Sequence, residues 1–397
     1  MEYRGFLGLD MKDKKIFVVI SLVFVVAIII CCVCLWFEFY HIGDLILYKY
    51  ETIDRIYTSS DVMYFITSDG YGYVSGGWAS SDNRDYINTE GRILKGTNLS
   101  TPVRIFDQKV RELSPYDGGV LIITEQNELF SATDNCIVKC ADNVNTAIYR
   151  QNTKQIFVID QENNLSILCE DGCFNILKQN VKQILSYNNQ LYVLNLFGDL
   201  SVIILDEDAN ILSEEQIYSD VKLFDVNNAS SRFEDGKIVD SDLSLNYDNA
   251  LFVVLLTSNQ LYCRGIYHPF MEHRDLVGQY PDIITIEDWT LIGEDIVEFS
   301  SSAMATIMID KTGEIRYYGF DTTRDTWLGF IELDIEDVQS VVCENSYVCV
   351  KTNSQKWLFW GDSWTNQFCA VNNNDRVISS IYKDAPSIFD PNYYKNN

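Results

Sequence analysis

Three histidines, His41, His268 and His273, stand in a chain of 397 residues, so a Ser-His-Asp arrangement or a histidine-rich metal centre is poorly supplied. Glu272 lies between the last two, but the spacing differs from H-E-x-x-H, which sets two imidazoles and a general base on one helical face. These residues read as surface-loop positions. No G-x-S-x-G, P-loop or G-x-G-x-x-G element falls between a strand and a helix pattern, which leaves nucleophilic and phosphate chemistry without support. Carboxylates are plentiful, as in Glu287 with Asp288 and Asp334 with Glu336 and Asp337, and a glycosidase needs only two at the right separation. With 57 Asp and Glu, such pairs also arise by chance. Asp206, Asp208 and Asn210 open like a calcium loop, yet Ile211 replaces the turn glycine and Ile217 the bidentate glutamate. No catalytic, metal-binding or cofactor-binding residue is assigned, no cofactor is expected, and the chain reads as non-catalytic.

Eight cysteines lie beyond residue 37, and Cys136 with Cys140, Cys169 with Cys173, and Cys343 with Cys349 have spacings that suit small disulfide loops; Cys263 and Cys369 complete the set. Buried free thiols are the equal alternative. Paired C-x-x-C spacing for zinc is absent. Asn98, Asn164 and Asn228 open N-x-S sequons, which matter only if the protein is exported and glycosylated.

The net charge is -27, and the first 37 residues hold four basic and three acidic side chains, which leaves 26 basic against 54 acidic beyond them. Such a surface repels phosphate backbones and anionic lipid headgroups, so nucleic acid is not an expected partner. Within those first 37 residues, Ile16 to Phe37 is an uncharged run of 22. At about 1.5 Å per residue it makes a helix of about 33 Å, enough to cross a hydrocarbon core of about 30 Å. It is too long for a cleaved signal core and ends without small residues. Arg4, Lys12, Lys14 and Lys15 precede it, which places the N-terminus in the cytoplasm. The expected organisation is a cytoplasmic tail (1–15), a transmembrane helix (16–37), a linker (38–50), an all-β domain (51–385) and a C-terminal tail (386–397). It puts the chain in the cell membrane as a single-pass protein with the large domain extracytoplasmic.

No second long apolar run follows. Instead one unit recurs: an extended stretch, a strand of about four apolar residues, a polar residue, a tight turn and another strand. It reads at 53–77, 110–131, 144–168, 181–204, 243–265, 296–319 and 338–361, with Thr67, Thr124, Asp160, Asn195, Thr257, Asp310 and Thr352 before the seven turns. The uneven spacing suits blades with variable loops, and a lone hairpin cannot bury its apolar faces. A seven-bladed β-propeller is expected.

The unit resembles the repeat of the regulator of chromosome condensation family, in which an apolar-T-x-x-G-x-V-Y-x-W-G hairpin recurs. Phe65 to Gly76 carries the resemblance best. Asp310 to Gly319 follows, then Thr352 with Trp357, Leu358, Phe359, Trp360 and Gly361. The resemblance spans about residues 51–383. The histidine before the apolar strand and the G-Q-L-G run after the W-G are absent in all seven units. The family implies a rigid disc that presents loops; its known roles include nucleotide exchange on a small GTPase, chromatin contact and, in a beta-lactamase-inhibitor relative, protein inhibition. Anchor and acidity argue against the chromatin role. The expected function is a membrane-anchored module that binds protein or glycan through its long connections at 78–109, 205–242 and 266–295. Trp78, Tyr86, Tyr267, Phe270 and Trp289 are candidate anchors, although such aromatics more often pack beneath loops. The alternative is an exported hydrolase or lyase with carboxylates at the central channel.

Overall fold

The computed structural model describes residues 52–389 apart from short segments, of which the longest are 77–84, 240–249, 268–283 and 363–377. The chain divides into two units, Met1–Lys49 and Tyr50–Asn397. The expected span at 16–37 lies outside the described residues, among which no helix is long and apolar enough to cross a membrane.

The second unit is all-β, a propeller of seven blades. Blade one is β1 (Ile53–Ser59), β2 (Val62–Thr67), β3 (Gly72–Gly76) and β6 (Leu99–Arg104), with a hairpin β4 (Asp85–Ile87) and β5 (Ile93–Lys95) inserted before β6. Blade two is β7 (Val110–Tyr116), β8 (Gly119–Thr124), β9 (Leu129–Thr133) and β10 (Ile137–Ala141). Blade three is β11 (Val144–Arg150), β12 (Gln155–Asp160), β13 (Leu165–Leu168) and β14 (Phe174–Lys178). Blade four is β15 (Val181–Tyr187), β16 (Gln190–Asn195), β17 (Leu200–Leu205) and β18 (Ile211–Tyr218). In blade five, β19 (Val221–Asn228) is separated by the hairpin β20 (Arg232–Glu234) and β21 (Lys237–Val239) from β22 (Ala250–Leu256), β23 (Leu261–Tyr267) and β24 (Ile284–Gly293). Blade six is β25 (Ile296–Ser301), β26 (Ala305–Asp310), β27 (Ile315–Phe320) and β28 (Trp327–Leu333). Blade seven is β29 (Val338–Cys343), β30 (Tyr347–Thr352) and β31 (Trp357–Asp362), whose outer edge is shared by β32 (Ile378–Ser379) and β33 (Ser387–Phe389).

The second strand of each blade is an almost unbroken apolar run because each sheet is covered on both faces by its neighbours. Met63 to Ile66, Leu121 to Ile123, Leu191 to Leu194 and Leu251 to Leu255 are buried throughout. The core is accordingly a set of inter-blade layers. Tyr64, Ile66 and Val74 pack with Leu113 and Ile122 between blades one and two. Ile53 and Phe65 pack with Tyr347 and Phe359 between blades one and seven, which closes the ring. Among the described residues no strand is exchanged at that closure; Trp357 Nε1 donates to the Ile53 carbonyl at 3.1 Å.

Successive blades are joined by backbone bonds from Val110, Val144, Val181, Val221 and Ile296 N–H to the carbonyls of Gly70, Asn127, Asn163, Gly198 and Asn259 at 2.7–2.9 Å. Within each blade a further bond ties the residue after the second strand to the residue that leads into the first. The N–H groups of Ser68, Glu125, Gln161, Leu196, Thr257, Lys311 and Asn353 donate to the carbonyls of Thr52, Lys109, Asn143, Asn180, Asp220, Asp295 and Asp337 at 2.6–3.2 Å. Five of these acceptors, Asn143, Asn180, Asp220, Asp295 and Asp337, adopt left-handed φ of 57–63°, a conformation that Asn and Asp tolerate better than other side chains. Each inner strand then carries a bulge two residues on, as between Val110 and Glu112 or Ile296 and Glu298.

The expected polar turn residue holds in six blades. Asp160 Oδ1, for example, accepts from the Glu162 and Asn164 N–H groups at 2.8 Å. In blade five the position belongs to Leu256, whose N–H pairs with Gln260 O, and Thr257 is one residue further on. The inner strand of that blade is Val221–Asn228 and not the stretch from 243; an insertion separates it from its partner. Blade seven also continues past residue 385, since Ser387 to Phe389 pairs with β31.

Candidate functional site

In a four-stranded up-and-down blade, the first and third connections leave one end and the second connection leaves the other. The second connections are short in all seven blades: 68–71, 125–128, 161–164, 196–199, 257–260, 311–314 and 353–356. The insertions at 77–98, 229–249, 268–283 and 363–377 all leave from the opposite end. The propeller therefore has one face of uniform turns and one face that carries every long insertion.

Two of those insertions rejoin the sheet, at Ala250 and just before Thr285, beside a cavity of about 190 Å3 at the edge of blade five. Ile217 of β18 and Ala250, Phe252, Ile286 and Trp289 of blade five form its apolar walls. A register change creates it. Cys263 faces Thr290 and Gly265 faces Ile286, so the three residues Glu287, Asp288 and Trp289 oppose Arg264 alone. The bulge turns Trp289 inward, where its ring meets Tyr218 edge-on at 4.7 Å and Phe252 at 6.3 Å. Gly265 is required on the other side: its φ is +117°, and a Cβ there would stand 1.8 Å from Ala250 O. Arg264 Nε donates to the Glu287 carbonyl at 3.0 Å, and among the described residues its guanidinium meets no carboxylate. Arg264, Glu287 and Asp288 are exposed, and the indole N–H of Trp289 has no hydrogen-bond partner among the described residues.

A second polar arrangement runs between inner strands. Glu112 accepts from Thr146 Oγ1, Gln183 Nε2 donates to Phe224 O at 2.8 Å, Asp225 accepts from Ser301 Oγ at 2.9 Å, and Glu298 accepts from Ser340 Oγ at 2.6 Å. Each carboxylate serves the next blade and not a common centre. Burial lifts the Glu112 and Asp225 carboxyls above the ordinary range, against the lowering effect of their hydroxyl donors.

The remaining sequence candidates scatter. Glu287 is at the cavity, with Asp288 beside it on the bulge, whereas Asp334, Glu336 and Asp337 line an open acidic groove on the turn face, with Glu314 and Glu332. Asp206 opens a β-turn closed by Ala209 N–H, and Asn210, just after it, occupies both Asp206 carboxylate oxygens at 2.7 and 2.9 Å. Tyr267 is fully buried, its hydroxyl 2.9 Å from Thr306 Oγ1, and so is core and not a contact residue. Tyr86 lies in β4; Trp78, Phe270, His41, His268 and His273 lie outside the described residues. Of the two alternatives for Cys343 and Cys349, the structure has free thiols: both are buried and unbridged, and Cys343 Sγ donates to Ala305 O. Cys140 is likewise free and bonds to Val138 O, so it makes no bridge to Cys136; Cys169 is free and exposed.

No protein-family model matches the chain, and no curated sequence is similar to it. Solved structures are similar. Human WBSCR16 is 10% identical over 86% of this chain and 82% of its own, with a TM-score of 0.43. Prp20p from Saccharomyces cerevisiae is 11% identical over 85% and 77%, with a TM-score of 0.44. The Cps50 (Swd1) β-propeller domain of Myceliophteria thermophila is 11% identical over 77% and 95%, with a TM-score of 0.45.

Proposed function

We propose that this chain is a membrane-anchored, extracytoplasmic, non-catalytic propeller that binds a protein or glycan through its insertion-bearing face. The observation that carries this reading is the asymmetry of the disc. Seven short, internally hydrogen-bonded turns close one end, and every long insertion leaves the other, two of them beside a cavity edged by uncommitted polar groups. Binding surfaces are built in this way, from variable loops on a rigid scaffold. The inner-strand carboxylates support the non-catalytic part, because Glu112, Asp225 and Glu298 are each spent on a neighbouring blade. The 22-residue apolar run at 16–37 and the basic residues before it support the anchor and its orientation.

Affinity capture of the full chain from native membranes tests the binding reading. Replacement of 268–283 by a short Gly-Ser link is expected to release the captured partner, whereas capture that survives the shortening of every insertion sinks it. Protease added to intact cells tests the location: it is expected to cut the large domain, and full protection would place the domain inside.

A further inference from the structure

The cavity in blade five also indicates what class of ligand it takes, an inference that rests on the binding reading above. Its volume decides the first question. Sites for whole cofactors or drug-sized molecules run from about 300 Å3 upward, whereas a cavity of about 150 Å3 accommodates a single benzene ring. At about 190 Å3 this one is matched to one aromatic side chain. Its walls suit such a ring: Ile217, Phe252, Ile286 and Trp289 supply apolar contact, and Trp289 offers its edge or face to a further ring in the tilted geometries that aromatic pairs prefer.

The groups around the cavity bear on what flanks the ring. Arg264 has spent only Nε, on the Glu287 carbonyl, so its terminal nitrogens are available to a main-chain carbonyl. Glu287 and Asp288 are exposed acids with no ion pair among the described residues. They stand on a domain whose net charge is strongly negative, which draws basic partners toward it and repels acidic ones.

We propose that the cavity between Trp289 and Ile217 is the anchor pocket for an extended segment of a partner protein, one aromatic side chain entering it with a lysine or arginine beside that residue. The aromatic ring supplies the affinity, in the manner of a buried hot-spot residue, and the basic neighbour supplies orientation against Glu287 and Asp288.

The test uses the full-length chain in lipid nanodiscs and a displayed library of random twelve-residue peptides. Selection is expected to enrich peptides that share an aromatic residue next to Lys or Arg. Their affinity is expected to fall at least about thirtyfold, the smaller end of a hot-spot effect, on the variants Trp289→Ala and Thr285→Phe. Thr285 is exposed at the cavity, so its replacement fills the space without touching the core, and an unchanged melting temperature establishes that the variant is folded. Glu287→Lys is expected to keep the aromatic and remove the preference for basic neighbours. Enriched peptides without an aromatic residue, no enrichment over empty nanodiscs, or binding undiminished by both cavity variants would overturn the proposal. Peptides that bind elsewhere, or a glycan array bound through Trp289, would overturn it while leaving the propeller a binding module.

Discussion

Lys351 Nζ, in the last blade, lies 2.8 Å from the backbone carbonyl of Asp54 and 3.1 Å from its carboxylate, in the first. The lysine is 2% exposed and the aspartate 46%, so the two partners differ in what they lose when the contact is broken. Lys351→Met keeps the length of the side chain and leaves Asp54 to water, at an expected cost of about 1 kcal/mol or less. Lys351→Glu buries a charge against a like charge and is expected to cost about 3 kcal/mol or more. Urea denaturation of the two variants measures the difference; equal losses would show that the seam does not depend on this pair.

Gly265 and Gly313 separate two reasons for glycine. At Gly265 a Cβ would overlap the Ala250 carbonyl and φ is +117°; at Gly313 φ is +87° but the space is open. Alanine at 313 should cost about 1 kcal/mol from backbone strain alone. At 265 overlap adds to strain, and about 3 kcal/mol or more is expected. Denaturation midpoints at constant m-value check both.

Two carboxylates should give stability profiles of opposite slope. Asp225 is lifted by burial against the hydrogen bonds from Ser301, so between the ordinary carboxylate value and the raised one the folded protein holds more protons than the unfolded chain. Its contribution therefore falls as pH rises through that window. Burial also works to raise Asp310, but hydrogen bonds from Thr312 and Glu314 and the nearby Arg316 outweigh it and lower the carboxyl. That contribution is present above the ordinary carboxylate value and fades as pH falls toward the lowered one. Asp225→Asn is expected to flatten the loss on the rising side and Asp310→Asn the loss on the acid side. Urea midpoints from pH 3 to 8 would show either slope unchanged if the assignment is wrong.

Thiol labelling of the native protein should reach Cys169 and leave Cys263, Cys343 and Cys349 unmodified until denaturant is added. Burial lifts Cys263 and Cys343 to about 12, so neither offers a thiolate near neutral pH. Peptide mapping of the modified residues makes the comparison. Native labelling of Cys343 at the rate of Cys169 would contradict the packing between blades six and seven.

The blades were legible in the sequence because each repeats a local device: an apolar strand buried on both faces, a polar side chain that caps its own turn, and a second strand. Blade five departed from it in two ways. Leu256 stands at the capping position, and the turn survives because its defining bonds are main-chain, Leu256 N to Gln260 O and Asn259 N to Leu256 O. Its inner strand at Val221–Asn228 lies an insertion away from the strand it pairs with, so adjacency in sequence pointed to the wrong stretch. The cavity was not legible for a related reason. It depends on how many residues of β24 oppose Arg264, a count that exists only once β23 and β24 are paired. Trp289 was visible as an aromatic and Glu287 as an acid; their juxtaposition was not.

Each of the seven sheets is drawn from one uninterrupted stretch of chain, from β1 with β6 to β29 with β33. Where the ring closes, blades one and seven meet through side chains and, among the described residues, share no strand. A chain of this kind has no privileged starting blade. Moving the break to any link between blades and joining residue 52 to residue 389 would preserve every sheet, so the protein is a natural subject for circular permutation, and a blade could be duplicated or lost as one contiguous segment of the gene.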